Sequence, residues 1–128
     1  MTIADEFMLA LTAWRENRSG GSNGMQSVIN VIMNRTLLYH SSAYTECVKP
    51  WQFSSVTAKN DPQLINWPAV TDFQFQEALT LAFQAALGSL GDITGGATSY
   101  YALSIPTPPA WAADMTKTVE IAGQVFFK

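Results

Sequence analysis

Residues 14–35 read Trp-Arg-Glu-Asn-Arg-Ser-Gly-Gly-Ser-Asn-Gly-Met-Gln-Ser-Val-Ile-Asn-Val-Ile-Met-Asn-Arg, and the fold turns on how this stretch is divided. Upstream of it, Ile3, Phe7, Ala10, Leu11 and Trp14 recur three or four residues apart. That is the period of an amphipathic helix, and Thr2 stands where an N-cap belongs. The helix must end near Arg18, because Ser19–Gly24 is a run of breakers that reads as a loop. A second helix then covers Met25–Leu38, with Asn23 as its cap. Met25, Val28, Ile29, Val31, Ile32 and Met33 spread over too broad an arc for a surface helix, which places this helix inside the domain. Asn34 and Arg35 therefore need buried partners. For Arg35 these are an ion pair or carbonyl contacts that tie helices together.

Beyond the second helix, residues 39–71 carry Pro50, Pro62 and Pro68 among Ser, Asn and Asp, a long connection with at most short helices. Thr71 or Asp72 opens a third helix, with Phe75, Leu79, Ala82, Phe83 and Ala86 at core spacing and Gly88 or Gly91 ending it. Gly95–Tyr101 reads as a turn into a short extended segment. Thr118–Ile121 and Gln124–Phe127, joined by Ala122 and Gly123, read as a β-hairpin. The expected architecture is mainly α (α+β): one helical domain over residues 1–128 with a small C-terminal β-hairpin.

Composition narrows the function classes. The 128 residues are 48% hydrophobic and 13% charged, which excludes a disordered chain. The net charge is −3 and the seven basic residues are scattered, so no basic patch argues for nucleic acid. No apolar run is long enough to span a bilayer. The N-terminus is acidic where a secretory signal is basic, so synthesis in a cytosol is expected, and a target outside the cell requires delivery by something else. A single cysteine, Cys47, permits no internal disulfide.

The lone His40 lies in a polar stretch with no nucleophile elbow and reads as a surface histidine. Cys47 has no motif around it and reads as a small buried hydrophobe. The carboxylates remain. Asp5 and Glu6 sit in a first helical turn, where anions are favoured, and Asp72 caps a helix. Glu16 falls in a last turn, where an anion is disfavoured, after Trp14 and before the glycines. A carboxyl desolvated by aromatic surface keeps its proton to higher pH, as a general acid for glycosidic cleavage must. Two readings of Glu16 stand: that acid, or a surface residue paired with Arg15 or Arg18. Lys49–Ser55, with Trp51 and Phe53 among short polar residues, has the composition of a carbohydrate-binding lip and equally of a loop pinned by two aromatics.

Trp14–Arg18, Gly24-Met25-Gln26-Ser27-Val28 and Val31–Arg35 together resemble the opening of the cell wall hydrolase family, which includes spore cortex-lytic enzymes and related phage endolysins. Gln52-Phe53-Ser54, Gly95-Ala97-Thr98 with Tyr100-Tyr101, and Lys117-Thr118 through Ile121-Gly123 to Val125-Phe126-Phe127 follow in the family's order, from about residue 9 to the C-terminus. The resemblance implies a lysozyme-like fold, peptidoglycan as substrate, and cleavage of the β-1,4 bond between N-acetylmuramic acid and N-acetylglucosamine. It aligns Glu16 with the family's catalytic acid. The chain departs from the family pattern at several positions. Arg15 replaces a Gly, Asn17 an Ala, and Gly20 stands where a second Glu is usual. Ser99 and Gln124 stand where His is frequent.

With one convincing acid, a lytic transglycosylase is expected ahead of a hydrolytic muramidase or glucosaminidase, which ordinarily uses two carboxylates. A peptidoglycan-binding protein without activity is the further alternative. Gln52, Ser54, Tyr100 and Tyr101 are the expected substrate-binding residues, and Arg18 and Arg35 are expected to orient loops or helices. No cofactor or metal is required. A holin or a dedicated secretion machine is the expected route to the wall, with a phage endolysin as the preferred identity.

Overall fold

The computed structural model describes residues 1–50 and 52–128; Trp51, one of the two aromatics read as a lip or as loop pins, lies outside them. Helix α1 spans Ile3–Asn17. Thr2 caps it through a reciprocal box: its hydroxyl accepts from the Asp5 amide at 3.1 Å, and the Asp5 carboxylate accepts from the Thr2 amide at 2.8 Å. Two of the four orphan amides of the helix start are satisfied in this way. Ile3 and Phe7 remain exposed, whereas Leu9, Ala10, Leu11, Ala13 and Trp14 are buried. The reason is position: the later turns of α1 are enclosed by α2 (Gly21–Tyr39), α3 (Ala43–Val48) and α5 (Phe73–Ala86).

The glycine run is not a loop. A single 3-10 turn at Arg18–Gly20 leads directly into α2, which starts at Gly21 rather than Met25, and Asn23 makes no capping bond. The glycines serve close approach. A Cβ on Gly24 would lie 2.8 Å from the Asn17 side-chain nitrogen and 3.0 Å from the Asn17 carbonyl oxygen, and one on Gly20 would lie 2.8 Å from the Ala122 Cβ. As its broad apolar arc requires, α2 is interior: Met25, Val28, Ile29, Val31 and Ile32 are all fully buried.

The connection after α2 holds only short pieces, α3, α4 (Ser54–Thr57) and a 3-10 turn at Pro62–Ile65. His40 is exposed and closes α2 in the left-handed conformation. Asp72 caps α5, accepting from the Phe75 amide at 2.9 Å, and Gly88 follows the helix at φ +74°. The buried face of α5 is Phe75, Ala78, Leu81 and Ala82, so Leu79 and Phe83, expected in the core, turn to solvent. This helix packs from one side only, and its small alanines let it approach α1 and α2 closely.

The C-terminal β element is a three-stranded antiparallel sheet, larger than the expected hairpin. Strand β2 (Lys117–Ile121) and β3 (Gln124–Phe127) pair through a tight turn in which Ala122 and Gly123 both have positive φ, the geometry that matches strand twist. Strand β1 (Ser99–Ala102) pairs on the other edge of β3, giving the order β1-β3-β2. Phe126 packs on Val31 and Ala97, which seats the sheet against α2. Tyr100 touches both this small cluster and the main helical core.

Candidate active site

Glu16 and Tyr100 meet across the seam between helices and sheet. Glu16 is in the last turn of α1 and half-buried. The Tyr100 hydroxyl on β1 donates to Glu16 Oε1 at 2.8 Å. Among the described residues this is the carboxyl's one hydrogen-bond partner, and no cation pairs with it.

The surface-pair reading of Glu16 fails because both arginines are engaged elsewhere. Arg15 is buried and donates to the carbonyls of Ser55, Leu64 and Asn66 at 3.1–3.2 Å, with its guanidinium over Trp67. Arg18 donates to the Trp14 carbonyl and to Gln63 Oε1, and lies 4.0 Å over the Trp14 ring. Trp14 itself faces α5, edge-on to Phe75, with its indole nitrogen donating to Asp72 at 3.3 Å. The aromatic group on Glu16 is thus Tyr100 and not its sequence neighbour.

Burial first, and the adjacent Glu16 carboxylate second, push the Tyr100 phenol well above its usual range. It therefore stays protonated at physiological pH and acts as a donor. A donor on Oε1 favours a defined orientation of the carboxyl, leaving Oε2 to exchange a proton.

Two departures from the family pattern turn out to be mutual partners. Asn17 Nδ2 donates to Gln124 Oε1 at 3.2 Å, joining the α1–α2 corner to the start of β3. Asn17 is buried and fills the space left by Gly20 and Gly24.

The other expected site residues do not converge on this pair. Tyr101 follows Tyr100 in an extended strand, so its side chain takes the opposite face of the sheet. There it stacks on Phe127 and meets Trp111 edge-on. Gln52 is exposed and makes no side-chain hydrogen bond to Glu16 or Tyr100 among the described residues. The Ser54 hydroxyl donates to Asp61 at 2.6 Å and borders a separate cavity of about 520 Å³, lined also by Val48, Pro50, Thr57 and Lys59.

Cys47 is fully buried, and desolvation pushes its thiol up to about 12, which removes it as a nucleophile. Glu46, one of the chain's candidate carboxylates that the sequence did not single out, is fully buried on α3 and accepts from Ser41 and, at 2.7 Å, from Lys49. Nothing in its sequence surroundings signals burial, since α3 is only six residues long and shows no resolvable periodicity.

Comparison with known proteins agrees with this architecture. The cell wall hydrolase family matches residues 19–127, a span that begins just after Glu16. The catalytic domain of the germination-specific lytic transglycosylase SleB from Bacillus anthracis superposes with a TM-score of 0.76 at 22% identity, covering 100% of this chain and 97% of that one. The catalytic domain of the Bacillus cereus SleB protein gives 0.77 at 22% identity, covering 100% and 92%. No curated protein matches in sequence.

Proposed function

The chain belongs to the cell wall hydrolase family, and from that premise we propose that it cleaves the glycan strands of peptidoglycan as a lytic transglycosylase, with Glu16 as the single acid/base. The observation that carries this reading is the Tyr100–Glu16 hydrogen bond at 2.8 Å, on a half-buried carboxyl with no cationic partner among the described residues. A purely structural surface glutamate has no need of a partly buried phenol brought to it from a strand 84 residues away.

In the proposed reaction protonated Glu16 gives its Oε2 proton to the glycosidic oxygen. The bond from that oxygen to C1 of N-acetylmuramic acid breaks, and the N-acetylglucosamine leaves with a free 4-hydroxyl. The C6 hydroxyl of the same muramic ring then bonds to C1 and returns its proton to the Glu16 carboxylate. A 1,6-anhydro ring closes, no water is consumed, and the enzyme ends as it began. Because the nucleophile is part of the substrate, its effective concentration is already high and no second carboxylate is needed to activate water. Tyr100, donating to Oε1, holds the carboxyl in one orientation through both proton transfers.

The test is digestion of purified peptidoglycan with mass analysis of the released fragments, beside Glu16→Gln. We expect anhydro products, one water lighter than those of hydrolysis, and a loss of about 10²- to 10⁴-fold in the variant. Hydrated reducing ends would replace the transglycosylase by a muramidase. Unchanged activity in Glu16→Gln would remove Glu16 from the chemistry, and binding without any product would leave a wall-binding protein. No helix among the described residues is long and apolar enough to cross a membrane. Delivery through a holin lesion or a secretion machine, as for a phage endolysin or an exported effector, is part of the proposal. Host lysis with and without a co-expressed pore-forming protein reads it out.

A further inference from the structure

Arg35 has no use in the chemistry above, yet it lies next to it. It is 8% exposed on α2 and its Nε donates to the Thr98 carbonyl at 2.6 Å, just before β1 begins. Its guanidinium sits 5.4 Å over the ring of Phe53, and its Nη1 is buried without a hydrogen-bond partner among the described residues. A buried cation held this way is a poor stabilising device. Desolvation is costly, an unpaired N–H adds to the cost, and an apolar residue of similar volume packs as well without either. Such local violations concentrate at functional sites.

Thr98 is two residues from Tyr100, whose ring packs on both the helical core and the Phe126 cluster. Four groups face the Arg35 charge: Tyr100 on β1, Glu46 and Cys47 on α3, and Tyr39 on its own helix. In return the Arg35 charge opposes the burial that makes the Tyr100 phenol a weak acid, and a more acidic phenol is a stronger donor to a carboxylate.

We propose that Arg35 is a positioning residue for Glu16: it anchors the start of β1 through the Thr98 carbonyl and places the Tyr100 hydroxyl on Glu16 Oε1. The linkage runs from α2 to β1 to α1, so the acid's orientation is set from two elements other than its own helix. This inference rests on Glu16 being the acid.

A double-mutant cycle on the full chain tests it, with soluble glycan strands as substrate and kcat and KM measured separately. Tyr100→Phe and Arg35→Met are each expected to lower kcat by about tenfold to a hundredfold, the cost of a misplaced catalytic group, with KM within about twofold. Because both act through one hydrogen bond, the double variant is expected to lose no more than the worse single variant. Losses that multiply, or an Arg35→Met enzyme with unchanged kcat, would overturn the proposal. If Arg35→Met does not fold, Arg35→Lys carries the same cycle. Lys keeps the charge but not the Nε donor, and the same non-additive loss is expected, with multiplication again the overturning result. Glu16→Gln run in parallel separates the two ideas. An active Glu16→Gln defeats the reading of the site, whereas an inactive one beside additive Arg35 and Tyr100 losses defeats only the positioning role.

Discussion

Among the described residues, Glu16 makes its one side-chain hydrogen bond to a neighbour that the sequence places 84 positions away. Its flanking residues, which look like its natural partners, are all turned elsewhere: Arg15 to the carbonyls of the long connection, Arg18 to Gln63 and the Trp14 ring, Asn17 to Gln124. Successive residues on a helix point about 100° apart, so neighbours in sequence seldom share a contact. The same scale decides the fate of Cys47. With the thiol pushed up to about 12 by burial, the thiolate fraction at pH 8 is negligible and the folded protein should resist alkylation. Iodoacetamide labelling followed by mass analysis checks this. Cys47 is expected to react only after denaturant unfolds the chain, and rapid native labelling would contradict its buried placement.

Elements impose their own demands at the α1–α2 corner. The Ser19–Gly24 run carries every signal of a flexible connection, but the structure uses two of its glycines to let Asn17 and the β2–β3 turn come close. Gly24 lies inside a helix, where alanine is intrinsically the better residue. Gly24→Ala is nevertheless expected to destabilise by about 1–3 kcal/mol, because its Cβ would press on the Asn17 side chain and carbonyl. Thermal or urea unfolding measures this, and a neutral or stabilising effect would show that the corner can yield. At the other end of α1, Thr2→Ala removes the capping box and is expected to cost about 1 kcal/mol. The Thr2 cap could be read from the sequence, because a cap is made by residues three apart, and the structure adds the return bond from Asp5. The close approach at Gly24 could not, because Asn17 reaches it only once the corner has formed.

For the molecule as a whole, acid is the expected weak point. The Asp5 carboxylate is buried, which opposes ionisation, but amide donors from Thr2 and Tyr44 and the Thr2 hydroxyl outweigh this and hold it below its ordinary value. Asp92 is held down likewise by Thr94, Asn34 and Gly96 against partial burial. A carboxyl whose folded-state pKa is depressed contributes stability above its unfolded value of about 3.9, and that contribution is lost as pH falls through the folded value. Both bonds are tertiary, Asp5 joining α1 to α3 and Asp92 joining α2 to the turn before β1. Urea midpoints are therefore expected to hold near neutrality and drop below about pH 4. Asp5→Asn should lower the midpoint at pH 7 and approach the parent's at pH 3. A constant difference at both values would place the effect in packing.

What the sequence by itself determined is whatever depends on residues within a few turns of one another. The interior helix α2 follows from its apolar arc, the starts of α1 and α5 from Thr2 and from Thr71 or Asp72, the terminal hairpin from Ala122 and Gly123. Glu16 stood out as an anion at the wrong end of a helix. Tertiary structure alone decided what had to be brought together from distant parts of the chain. It made Tyr100, and not Trp14, the aromatic partner of Glu16. It turned Tyr101, Leu79 and Phe83 away from their expected places, added β1 to the hairpin, and buried Glu46. Periodicity reports which side of an element is apolar. Which element arrives to cover that side, and with which polar atom, is settled only when the helices and the sheet pack and every buried donor and acceptor competes for partners.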